Sequence, residues 1–105
     1  MERRCFLLRV REDLVAQYLQ THQVWPEMLA AISAAGFHNY SLFIRPDGLV
    51  VGYFEAEDPE AAQAAIARTE VSARWEETMA PFFVGGSGKP ADRTTAVLSE
   101  YFHLP

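Results

Sequence analysis

Apolar side chains fill residues 4–10 (RCFLLRV) almost without a break, a run of strand length that opens the chain as a first β-strand. The rhythm then widens. Leu14, Tyr18 and His22 fall on one stripe with Val15 and Leu19 beside it, the i, i+4 spacing of an amphipathic helix over residues 12–22. Glu12 and Asp13 suit the positive end of that helix. Pro26 begins a second helical piece, residues 27–35 are strong helix formers, and Gly36 offers a stop. Residues 37–44 return to strand composition, Arg45-Pro46-Asp47-Gly48 reads as a type I turn, and residues 49–54 complete a hairpin. Asp58 followed by Pro59 is an N-cap with proline at the first helical position, which predicts a helix as far as Arg68. A further helical unit starts near Thr69 and carries Trp75, Met79 and Phe82. Residues 85–93 hold three glycines and a proline without any period and are expected to form a loop. Residues 97–104 alternate as a final strand.

The resulting order, β, α, β, β, α, β, is the split βαβ pattern of the ferredoxin-like fold, in the α+β class. At 105 residues it predicts one domain, residues 1–105, around one core. The first strand has apolar residues at both parities, Phe6, Leu8 and Val10 against Cys5 and Leu7. Both sheet faces therefore ask for cover, and a chain this short supplies one helical layer. A homodimer that packs sheet against sheet meets the shortage.

Composition narrows the function. A formal charge of -5 works against nucleic acid, whose phosphates are bound by clustered Lys and Arg. The one dense basic group, Arg3, Arg4, Arg9 and Arg11, flanks the first strand and reads as a charged edge that discourages aggregation. The single cysteine, Cys5, permits no disulfide within the chain. The apolar run after the N-terminal arginines is too short for a signal peptide or a membrane span, so a cytoplasmic protein with no membrane partner is expected.

His22, His38 and His103 are widely spaced and lack nearby Cys or carboxylate pairs at ligand spacing, so no metal site is expected. What the chain does hold is a set of side chains suited to sugars: Tyr18, His22, Trp25, Tyr40, Tyr53 and Trp75. Aromatic faces pack on the C–H faces of a pyranose, while phenol and imidazole give directed hydrogen bonds. Tyr18 and His22, four apart on a helix, can address one ligand. The same spacing also fits two half-buried residues whose polar tips are anchored to backbone, and Trp75 taken alone fits a core position as well. His38 and His103 read as solvated or backbone-bonded, and Glu55, Glu57 and Asp58 as the solvated approach to a helix.

An ordered series of motifs goes further: Tyr18-x3-His22, Trp25-Pro26-Glu27, Gly36-x-His38-Asn39-Tyr40, Arg74-Trp75 and a terminal Phe102-His103-Leu104-Pro105. In this order the chain resembles the L-rhamnose mutarotases over nearly its whole length. That resemblance implies a dimeric α+β barrel of ferredoxin-like subunits and a cofactor-free isomerase that exchanges the α and β anomers of a free monosaccharide, L-rhamnose or a related 6-deoxy sugar. It also implies that His22 is the proton donor and that Tyr18, Tyr40 and Trp75 contact the sugar. Some relatives carry a second tryptophan where this chain has Glu76, a side chain that binds hydroxyls and does not stack. Two other readings share the fold: a cofactor-free monooxygenase and a non-catalytic barrel that binds a small ligand.

Overall fold

The computed structural model describes residues 1–84 and 97–105. Strand β1 (Glu2–Arg9) leads through a 3-10 turn (Glu12–Leu14) into helix α1 (Val15–Thr21) and helix α2 (Pro26–Ala34). The hairpin β2 (His38–Ile44) and β3 (Leu49–Ala56) follows, then α3 (Pro59–Ala67), α4 (Glu70–Met79), a 3-10 turn (Ala80–Phe82) and β4 (Val97–Leu98). The strands form one sheet in the order β2-β3-β1-β4, with every pairing antiparallel. This is the ferredoxin-like α+β architecture that the element order predicts.

Burial in β3 alternates strictly, with Val50, Gly52, Phe54 and Ala56 buried and Leu49, Val51, Tyr53 and Glu55 only half so. Directly opposed residues of an antiparallel pair share a face. Phe6 therefore joins the helix-covered side through its partner Gly52, while Cys5 opposite Tyr53, and Leu7 opposite Val51, lie on the open side. A Cβ on Gly52 would run into the Phe6 ring, so the missing side chain is what seats Phe6 in the core. The core has two parts on the helix side. One gathers Val10, Tyr18, Val50, Met79 and Phe83. The other gathers Phe6, Phe54, Ala56 and Ala62.

Local signals act at several ends, as expected at Asp58, Gly36 and Gly48. Asp58 accepts from the Ala61 amide and Thr69 from the Ser72 amide, each satisfying an orphan donor of a first helical turn. Gly36 takes φ 103° beyond α2. Gly48, at φ 98°, donates to the Arg45 carbonyl, and the Arg45–Asp47 ion pair spans the turn. A Cβ there would collide with the Val10 carbonyl oxygen.

Four expectations need correction. The helix expected over residues 12–22 begins as a 3-10 turn and ends at Thr21. Arg11 at its start has no acceptor to offer the free amides, and Leu14 instead bonds the Arg11 carbonyl in a tighter i to i−3 turn. His22 sits just past the helix, at φ −74° and ψ 70°, with Gln23 N–H bonded to Thr21 across it. Those angles and that bond make an inverse γ-turn. The first strand runs two residues further toward the N-terminus than its apolar run and stops at Arg9, because Glu2 and Arg3 also find partners on β3. Phe82 is not on α4 but in the 3-10 turn that begins at Ala80, next to Pro81. The strand expected over residues 97–104 is confined to Val97–Leu98, which pair with Phe6 and Cys5. Beyond it Tyr101 is 98% exposed, since an alternating strand needs an apolar layer to lie on and the described residues offer none at this edge. The loop expected over residues 85–93 lies outside the described residues.

Candidate functional site

A cavity of about 430 Å³ opens between the helices and the covered face of the sheet. Tyr18, His22, Tyr40 and Trp75 all line it, as do Gln63 and Glu76. The volume is in the range of small-molecule sites, and apolar side chains, many of them from α2, β2 and β3, make up the rest of the wall.

One end is an aromatic ladder. Tyr18, buried on α1, meets Phe83 at 5.8 Å between ring centroids and His22 at 5.2 Å. His22 meets Trp75 edge to face at 5.3 Å, and Trp75 meets Trp25 in the same manner at 5.1 Å. The Arg74 guanidinium caps the far side of Trp25 at 5.9 Å and bonds Glu27, which fixes α4 against α2. The i, i+4 spacing thus brings Tyr18 and His22 together as the sequence predicts, although His22 is presented by the γ-turn and not by the helix. Its imidazole is half-buried and held below the ordinary histidine value of 6.5, mainly because burial penalises the charged form. The protonated fraction at neutral pH is therefore smaller than for a free histidine.

Tyr40 stands at the other end, stacked on Phe37 at 5.5 Å and 5.8 Å from Phe54. A bulge puts it there. The register slips between His38 and Ser41, and Asn39 adopts φ 48°, its amide donating to Glu55 at 2.9 Å. With Ser41 opposite Tyr53 on the open face, Tyr40 turns to the helix side. A regular ladder from His38 would have turned it the other way.

Two residues of the sugar-friendly set do not reach the cavity. Trp25 backs Trp75, and Tyr53 lies on the open face, where its hydroxyl donates to Glu55 at 2.6 Å. His38 and His103 are exposed, as expected. Gln63 escaped the sequence reading because α3 looked like a plain alanine-rich helix. The available signal was a glutamine inside the stripe of Pro59, Ala62 and Ile66. Among the described residues no three of His, Cys, Asp and Glu gather as metal ligands, and no helix is long and apolar enough to cross a membrane. Chemically, the site offers a titratable imidazole beside a phenol, a single carboxylate at Glu76, and flat apolar walls.

The profile of the L-rhamnose mutarotase family matches residues 3–104. An L-rhamnose mutarotase of Opitutus terrae is 39% identical over 99% of both chains. One of Bacillus subtilis is 40% identical over 77% of this chain and 79% of its own length. The crystal structure of an L-rhamnose mutarotase from Formosa agariphila superposes over the whole of both chains with a TM-score of 0.79 at 20% identity, a likeness that speaks to the fold.

Proposed function

The chain belongs to the L-rhamnose mutarotase family, and from that premise we propose that it exchanges the α and β anomers of L-rhamnopyranose in the cavity between helices and sheet. The observation that carries the site assignment is the convergence of Tyr18, His22, Tyr40 and Trp75 on one cavity.

Ring opening needs the C1 hydroxyl to lose a proton and the ring oxygen to gain one as the C1–O5 bond breaks. Rotation about C1–C2 of the open aldehyde then exposes its other face, and closure returns both protons. The atoms and electrons balance with no redox step. His22 delivers the proton to the ring oxygen and takes it back on closure. Burial lowers the population of imidazolium but makes each one a stronger acid, which suits transfer to a weakly basic ether oxygen. Tyr18 holds the imidazole and the sugar in register. Trp75 and Tyr40 form walls on which the C–H faces of the pyranose rest. Glu76, or a water beside it, accepts the C1 proton.

The open sheet face belongs to a second copy in this reading. Phe43 is 64% and Leu98 47% exposed there, and pairing two such faces gives a homodimeric α+β barrel. A cytoplasmic location accords with the absence of any need for disulfides in a chain with one cysteine. The test is saturation-transfer NMR on equilibrated L-rhamnose. The protein should speed exchange between the two anomeric proton signals; sugar binding without faster exchange would leave only a binding barrel, and neither would remove the sugar reading altogether.

A further inference from the structure

Helix α3 buries Pro59, Ala62 and Ile66, and Gln63 falls among them on the stripe that faces the sheet and the cavity. Its side chain is half-buried and lines the cavity. Among the described residues its amide makes no side-chain hydrogen bond, whereas the polar side chains that start α3 and α4, Asp58 and Thr69, both do. A glutamine on an apolar stripe weakens packing unless its amide finds a partner, and a lining residue can take that partner from the cavity, as a ligand or a water.

Position along the cavity says which part of the ligand that is. Tyr18 and Trp75 pack with the first core cluster, at the end where His22 stands. Ala62, the neighbour of Gln63, packs with the second cluster, against which Tyr40 and Phe37 also lie. A pyranose whose C1–O5 edge meets His22 presents its C3–C4 edge to the opposite end. We propose that Gln63 is a specificity-determining residue whose amide hydrogen-bonds the C3 or C4 hydroxyl of the sugar, with Tyr40 beside it. This deepens the mutarotase reading and rests on it for the orientation of the sugar.

The amide can donate to one lone pair of a hydroxyl and accept its proton, so one residue reads both the presence of the hydroxyl and its direction from the ring. A site built to hydrogen-bond a hydroxyl discriminates strongly against an analogue that lacks it, because the protein group is then left unpaired.

The experiment compares the parent with Gln63→Leu and Gln63→Met on three sugars: L-rhamnose, its 3-deoxy and its 4-deoxy analogue. Anomer exchange gives KM and kcat, and quenching of tryptophan fluorescence gives binding without reference to turnover. For L-rhamnose the variants should raise KM and the dissociation constant roughly five- to tenfold, the worth of one neutral hydrogen bond. For one of the two deoxy sugars the variants should bind as well as the parent or better. Their melting temperatures should equal or exceed the parent's, as an apolar side chain suits that stripe. Two variants that bind all three sugars as the parent does, or that weaken all three equally, would overturn the role. Variants that melt well below the parent would show Gln63 to be structural and overturn it equally. A parent that binds the sugars with the expected pattern but does not speed exchange would instead refute the mutarotase reading and leave the hydroxyl contact standing.

Discussion

In the proposed mechanism His22 carries the proton. Replacing it by Asn keeps a hydrogen-bond donor of similar size without a transferable proton, so anomer exchange should fall by about 10² or more while most sugar affinity remains. Exchange spectra and fluorescence titration of His22→Asn check both halves; a folded variant as fast as the parent would assign the proton to another group. Because the folded value of His22 is lowered, kcat/KM of the parent should fall with rising pH through a midpoint below 6.5, a limb that His22→Asn should lack. Stability has its own sign. The unfolded chain takes up the proton near 6.5 and the folded chain only at lower pH, so the unfolded state binds more protons in between. Parent stability should be full above 6.5 and decline as pH falls from there through the folded value. Urea titrations across that window should show a slope that His22→Asn reduces.

At the scale of elements, the bulge in β2 decides whether Tyr40 lines the cavity. Asn tolerates the left-handed conformation at residue 39 and its amide ties the bulge to Glu55 on the neighbouring strand. A β-branched residue there is strained, so Asn39→Val should lose about 1–3 kcal/mol of stability and weaken sugar binding as Tyr40 loses its aim. Asn39→Gly accepts the backbone and should preserve binding better than Asn39→Val, at some cost in stability from the lost amide. Equal binding by both variants, read by fluorescence titration, would detach the bulge from the orientation of Tyr40. The turn into α4 shows the other side of the same scale. There the start near Thr69 was expected, and the bond that fixes it, from the Ser72 amide to the Thr69 hydroxyl, joins residues only three apart.

For the whole molecule the open sheet face is the surface that the described helices of a single chain leave uncovered. Cys5, Leu7, Val51 and Tyr53 are half-buried on it and Phe43 is largely exposed. Light scattering should report about twice the chain mass at low concentration. Phe43→Asp puts a charge on the edge strand of that face and, if the face is the proposed contact, should give a folded monomer, since Phe43 contributes little to the single-chain core. A parent that sediments as a stable monomer would require another cover for this face. A Phe43→Asp protein that remains dimeric would move the contact elsewhere.

The order of the elements, the cap at Asp58, the Arg45–Gly48 turn and the closeness of Tyr18 to His22 were legible in the amino-acid sequence. Each rests on contacts a few residues apart, where spacing and side-chain chemistry act directly on the backbone. The motifs also carried the family, which the comparisons bear out. Tertiary structure decided the rest. Which aromatic residues share the cavity depends on faces, and a face is set by register: one extra residue at Asn39 turns Tyr40 inward, while the regular ladder leaves Tyr53 outside. The lowered proton affinity of His22 comes from its burial among side chains distant in sequence. Gln63 looked like filler in a helix until the fold laid its stripe against a cavity, and the final strand ended early because what an alternating pattern lies on is supplied by other parts of the fold.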